Sequence, residues 1–76
     1  MNLKKKIFVP MCCDFLHTGH INILNISASL GDVTVLLMTD DAMCKYKRNP
    51  AMAYNERKII IESLRQVKFI IPCNGS

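Results

Sequence analysis

Two histidines three residues apart, His17 and His20, with Gly19 between them, are the side chains in this sequence best suited to chemistry. They follow an apolar run at residues 7–11 and Asp14, and they open a stretch whose apolar spacing is helical. That order predicts two imidazoles and a glycine at a helix N-terminus, where unpaired N–H groups and the helix dipole favour an anion. Two imidazoles add hydrogen bonds to phosphate oxygens, and Gly19 lets a phosphate approach the backbone closely. Where a phosphoryl group is transferred, negative charge shifts onto the phosphate under attack and the group that departs. Donors fixed in place there lower the barrier more than they stabilise the ground state. His17 and His20 suit that task.

The rest of the sequence supplies elements to hold these residues. Residues 7–11 read as a first strand. Residues 20–30 read as a helix with Ile23, Ile26 and Leu30 at helical spacing, and Gly31 is expected to stop it in the left-handed conformation usual at a helix C-terminus. Residues 32–38, near-continuously apolar, suit a strand covered on both faces, and Thr39-Asp40 follows at its carboxyl end, where open α/β sheets place ligands. Residues 41–45 suggest one helical turn, and residues 46–53 a loop turning at Asn49-Pro50. A second long helix spans residues 54–65 with Ile60 and Leu64 facing inward, and a third strand spans residues 67–71. This is α/β, in the order β-α-β-α-β, and right-handed crossovers give a partial parallel sheet of order 3-2-1. No repeat, linker or internal boundary divides residues 1–76.

Asp14-Phe15-Leu16-His17-Thr18-Gly19-His20 resembles the D-x-x-H-x-G-H signature of the cytidylyltransferase-like nucleotidyltransferases, which have a Rossmann-like three-layer fold. Leu37-Met38-Thr39-Asp40, Tyr46-Lys47-Arg48 and Tyr54-Asn55-Glu56-Arg57-Lys58 resemble that family's T-D, Y-K-R and Y-x-x-R-K blocks, in the same order. Met11-Cys12-Cys13-Asp14 is similar to the strand end of the members associated with phosphoenolpyruvate mutase and phosphonate metabolism. The resemblance runs from Ile7 to Pro72 and corresponds to the N-terminal half of the family's domain. The C-terminal arginine and Gly-Ile-Ser-Thr-Thr-like motif of the family have no counterpart here.

The resemblance implies CTP-dependent cytidylyl transfer to a small phosphate or phosphonate substrate, with magnesium bridging the phosphates. It makes His17, His20 and Lys47 the catalytic candidates, with Lys45 a neighbouring alternative because lysine placement in this loop varies between subgroups. Met11, Cys12, Asp14, Gly19, Thr39 and Arg48 are expected around the nucleotide. Asp14 either orients the substrate or a magnesium ion, or caps its turn. Asp40 and Arg57 either face the substrate or hold the structure. Arg65 stands where the family is often basic. Lys68 replaces a usually acidic residue, which calls any salt bridge or subunit contact there into question. A homodimer, a complementing C-terminal half and an inactive remnant are all compatible with what the resemblance covers.

Composition agrees with one small unit: 76 residues, half of them apolar, are near the size at which an unaided core is marginal. The net charge of +4 is modest, and the run Lys4-Lys5-Lys6 reads as solvated residues ahead of the first strand, so neither nucleic acid nor membrane is expected as a partner. No apolar stretch approaches a membrane span, and residues 1–13 are too short in their apolar part to make a secretory signal, which points to the cytoplasm. Cys12, Cys13, Cys44 and Cys73 lack the spacing of a disulfide framework and are expected as thiols. Adjacent strand residues point to opposite faces, so only one of Cys12 and Cys13 could join the histidines on a zinc ion. Two local oddities bear on folding. Ala53 stands where a Ser or Thr would form a capping box with Glu56, and Pro10 lies in a strand where it is tolerable only at an edge or a strand end.

Overall fold

The computed structural model describes residues 5–12, 16–46 and 52–74, with no side-chain description at Tyr46. Cys13, Asp14, Lys47, Arg48 and the Asn49-Pro50 turn therefore lie outside the described residues. The elements run β1 (Lys5–Met11), α1 (Thr18–Leu30), β2 (Gly31–Met38), α2 (Asp40–Tyr46), α3 (Tyr54–Glu62) and β3 (Val67–Cys73). The sheet is parallel with β2 in the centre, which is the expected 3-2-1 order of a Rossmann-like α/β fold. α2 makes the expected single turn a proper short helix, and β3 extends past Ile71 through Pro72, which pairs with Leu37. Pro10 pairs with Leu36 on an outer strand of the three, the location a proline tolerates.

The core forms on one face of the sheet. Val9 and Met11 of β1 and Val33, Val35 and Leu37 of β2 project to the same side by the two-residue period of a strand, and there they meet Leu24 of α1 and Ile61 of α3. Both helices thus lie on a single face, as two successive right-handed crossovers in one direction require.

The helices bury different residues from those the apolar spacing suggested. On α1, Ile23, Ile26 and Leu30 are 51%, 64% and 62% exposed, whereas Leu24 and Ser27 are buried. Apolar residues surround much of α1, so spacing alone leaves the inward face open; where the helix starts decides it, and here His17 is the N-cap. On α3 the inward residues are Arg57 and Ile61, and Ile60 is exposed, whereas Leu64, just past the helix end, packs against the core as expected. That helix stops at Glu62 instead of Arg65, because Ser63 and Leu64 donate to the carbonyls of Ile60 and Ile61 in a tightened last turn. Gly31 is not left-handed: with φ 170 and ψ −162 it is extended and already the first residue of β2. It is glycine because β1 passes so close that a Cβ would run into the Lys5 carbonyl. Lys68, for which a salt bridge was in question, donates to Asp32 Oδ2 across β3 and β2 at 3.2 Å; an exposed pair of this kind adds little stability.

Ala53 is the N-cap of α3 and provides no side-chain hydrogen bond. The Asp40 carboxylate from the start of α2 compensates in part, accepting the Tyr54 N–H at 3.2 Å. Ala53→Ser should therefore raise stability by about 0.5–1 kcal/mol, through a capping box with Glu56. Thermal unfolding by circular dichroism would show a gain of a few degrees. An unchanged Tm would mean that Asp40 already satisfies the first turn.

Candidate active site

The described candidate residues gather at the carboxyl ends of the parallel strands. β1 ends in Met11 and is followed by Cys12; β2 ends in Met38 and is followed by Thr39 and Asp40; β3 ends in Cys73. A cavity of about 420 Å³ opens there, and Met11, Cys12, Met38, Cys73 and His20 are among its lining residues. Three of the expected site residues, Met11, Cys12 and His20, thus share one space. Met38 and Cys73 were missed, although both belong to the strand ends that the apolar runs predicted. Cys12 Sγ lies 3.7 Å from Met38 Sδ.

His17 and His20 form a reciprocal cap on α1. His17 is the N-cap residue, and its Nδ1 accepts the Gly19 N–H at 3.0 Å; His20 Nδ1 accepts the His17 N–H at 3.2 Å. The ring centroids are 4.1 Å apart with the planes tilted by 49°. An N-cap is usually Ser, Thr, Asp or Asn, because it must accept a backbone N–H; here imidazole nitrogens do so. This fixes the chemistry of both rings. A nitrogen that accepts a hydrogen bond carries no proton, so in each neutral imidazole the proton sits on Nε2, which is left as a donor. Gly19 is required by the same geometry, since a Cβ there would come within 2.7 Å of the His17 Cε1 atom. Its demonstrable role is thus to admit the His17 ring above the first turn.

Burial, followed by the neighbouring His17, holds the His20 pKa below its usual 6.5. The sign of the pH effect follows. As pH falls through 6.5 the unfolded chain takes up a proton at His20 more readily than the folded chain does, so the folded state loses ground. The stability associated with neutral His20 is present above pH 6.5 and is lost below it. Thermal unfolding at about pH 7.5 and about pH 5.5 should give the lower Tm at the lower pH. His20→Gln, which can still return a hydrogen bond to the N-cap, should show a smaller drop. Equal drops in the two chains would contradict the assignment.

Thr39, Asp40 and Arg57 take structural positions. The Thr39 hydroxyl accepts the Ala42 N–H at 3.2 Å, capping α2, and donates to Asn74 Oδ1 at 3.1 Å. Arg57 is completely buried. Its Nη1 donates to the carbonyls of Cys12 at 2.8 Å and Met38 at 2.7 Å, its Nε to the Met52 carbonyl at 3.0 Å, and its Nη2 to Asp40 Oδ1 at 2.7 Å. One planar guanidinium therefore ties the end of β1, the end of β2, the start of α2 and the segment before α3 together, a geometry only arginine provides. Of the two alternatives for Asp40 and Arg57, these contacts fit holding the structure. The three backbone carbonyls that Arg57 uses carry no signature in sequence.

Among the described residues no three His, Cys, Asp or Glu side chains are grouped to hold a metal ion. Both oxygens of Asp40 are engaged, Oδ1 by Arg57 and Oδ2 by Tyr54. No described helix is long and apolar enough to cross a membrane.

A parallel α/β sheet with a histidine-capped helix at its carboxyl edge is the framework of a nucleotidyltransferase-type domain. The chain belongs to the cytidylyltransferase-like family, whose model matches residues 9–75. It is 41% identical over 70 residues to the bifunctional protein HldE of Desulfatibacillum aliphaticivorans, covering 88% of this chain and 14% of that protein. It is 36% identical over 69 residues to the glycerol-3-phosphate cytidylyltransferase of Bacillus subtilis (strain 168), covering 90% of this chain and 54% of that one. The crystal structure of a lipopolysaccharide core biosynthesis protein from Thermoplasma volcanium GSS1 superposes with a TM-score of 0.86 at 27% identity, covering 92% of this chain and 58% of that one. The chain thus spans about half the length of the latter two and a much smaller part of the bifunctional protein.

Proposed function

We propose that this chain carries the phosphate-binding half of a cytidylyltransferase site. A phosphate or phosphonate oxygen of a small acceptor attacks the α-phosphorus of CTP. The new P–O bond forms as the bond to the β-phosphate oxygen breaks, and pyrophosphate leaves with that electron pair. The chain's contribution is donors and position, without a covalent intermediate. The Nε2–H groups of His17 and His20 hydrogen-bond the α-phosphate as its charge grows. Lys47 and Arg48, with Lys45 as neighbour, neutralise the phosphates, and Asp14 orients the acceptor or a magnesium ion, or caps its turn. Magnesium enters this reading with the CTP phosphates that it bridges.

The observation that carries the proposal is the reciprocal histidine cap, which consumes both Nδ1 atoms and leaves two donors at a helix N-terminus. The test is calorimetric titration with CTP and ATP in magnesium, together with pyrophosphate release in the presence of 2-aminoethylphosphonate, phosphocholine or glycerol 3-phosphate. CTP-selective binding that weakens about tenfold in Lys47→Ala would support the reading. Binding of neither nucleotide, by this chain alone and by its complemented form, would overturn it. A second reading, a half-domain that turns over only when complemented, is favoured by the 54% and 58% coverage of the relatives. A cytoplasmic location belongs to the same proposal.

A further inference from the structure

The row of residues across the carboxyl end of the sheet is made of sulfur. The register that pairs Met11 with Leu37 brings Cys12, the residue after β1, opposite Met38, and Met38 in turn pairs with Cys73. Met11 and Leu37 belong to the core, so by the two-residue period of a strand Cys12 and Met38 project to the other side of the sheet. All three sulfur residues are half-buried, and all three line the cavity of about 420 Å³ at that edge. Cys12 Sγ is already 3.7 Å from Met38 Sδ. The proposed transfer gives none of these sulfurs a chemical step.

We propose that Cys12, Met38 and Cys73 form a binding site for a soft monovalent metal ion, Cu(I). Ligand softness argues for this ion first. Thiolate and thioether together suit Cu(I), whereas zinc takes thiolate, imidazole or carboxylate and magnesium takes oxygen. Spacing argues for it second. Two sulfurs that are each about 2.3 Å from one ion lie about 3.7–4.0 Å apart at tetrahedral or trigonal angles. The Cys12–Met38 separation has that value, so an ion can bridge this pair with the backbone in place. Cys73, on the far side of Met38, completes the set by rotation about its Cα–Cβ bond. Neighbouring strands are about 4.8 Å apart, which puts the Cα atoms of Cys12 and Cys73 roughly 9.6 Å apart, beyond the roughly 7 Å limit of a disulfide. The two thiols therefore cannot close on each other and stay available as ligands, with the adaptable Met38 thioether between them. His20 lines the same cavity, but its Nδ1 accepts the His17 N–H and its Nε2 carries the proton, so the set is all sulfur. On binding, Cys12 and Cys73 each release a thiol proton to water as the Cu–S bonds form, and the copper remains Cu(I). The site stands on the end row of the sheet, whether or not the chain transfers nucleotides.

The test titrates the 76-residue chain with Cu(I) alone, kept reduced by ascorbate without oxygen, against bathocuproine disulfonate, a chelator whose colour reports the copper it captures. The expected result is one ion per chain withheld from the chelator. Cys12→Ser, Cys73→Ser and Met38→Leu should each weaken binding at least about tenfold, and Cys44→Ser, at an exposed position on α2, should leave it unchanged. Circular dichroism of the metal-free variants checks their fold. Alkylation of the parent chain by iodoacetamide, read by mass spectrometry, gives a second measurement that needs no substitution. Cu(I) should slow modification of Cys12 and Cys73 at least about tenfold and leave Cys44 as reactive as before. A chain that withholds no copper would overturn the proposal, as would Zn(II) bound equally tightly, or alkylation of Cys12 and Cys73 indifferent to Cu(I). Binding that survives Cys73→Ser and Met38→Leu but fails in Cys13→Ser would also overturn it, by giving the ion to the adjacent cysteine pair.

Discussion

Arg57→Met should be among the most destabilising single changes in this chain, costing about 3–5 kcal/mol. Methionine fills much of the volume, so the loss is polar. The carbonyls of Cys12, Met38 and Met52 lose their donor together, and the Asp40 carboxylate loses its cation. Asp40 is 43% exposed and can turn to water, so most of the cost falls on the part-buried carbonyls, about 1–3 kcal/mol for each left unsatisfied. Against a total of roughly 5 kcal/mol for a domain this small, such a loss removes most of the folded population. Arg57→Lys should recover little, because one ammonium cannot serve four acceptors on different elements. Urea unfolding followed by circular dichroism measures both; a midpoint for Arg57→Met close to the parent's would show that water replaces the guanidinium at no cost.

The second large effect separates two functions of one side chain. His17→Asn retains a good N-cap, so the fold should stay within about 0.5 kcal/mol of the parent, whereas His17→Ala should lose about 0.5–2 kcal/mol with the cap. Both variants remove the Nε2–H donor. Under the proposed function, both should reduce pyrophosphate release by roughly 100-fold or more, the usual effect of losing one fixed donor to a developing oxyanion. Measurement on the form that turns over, whether this chain or its complemented pair, decides the matter. Undiminished turnover in His17→Asn would leave the imidazole as a cap and nothing more.

How far the sequence was legible depended on which interactions were local. Strand order and type were readable because residues 32–38 and 67–71 are apolar runs bounded by helix patterns, and chain handedness leaves one way to join them. Helix faces were not, because α1 carries more apolar residues than the sheet can bury. The face that won includes Ser27 and leaves Ile26 in solvent. Gly31 does end α1, as its C-cap, but in an extended rather than a left-handed conformation, and the reason for a glycine there lies in Lys5, which is distant in sequence. At the site, the H-x-G-H spacing located the histidines, but it could not show that each Nδ1 would be spent on the backbone. Arg57 was legible as important and ambiguous in role, since three of its partners are main-chain carbonyls.

Because both Nδ1 atoms already accept backbone N–H groups, the donor each neutral ring has left is its Nε2–H. Under the proposed function the pair offers an anion two directed hydrogen bonds. Dipolar hydrogen bonds at contact distance are nearly insensitive to ionic strength, whereas attraction by exposed lysines is screened within about 10 Å at 0.1 M salt. The salt dependence of any phosphate ligand on this chain would consequently count its lysines and arginines, and the part of the affinity that persists at high salt would belong to the histidines and the first turn of α1.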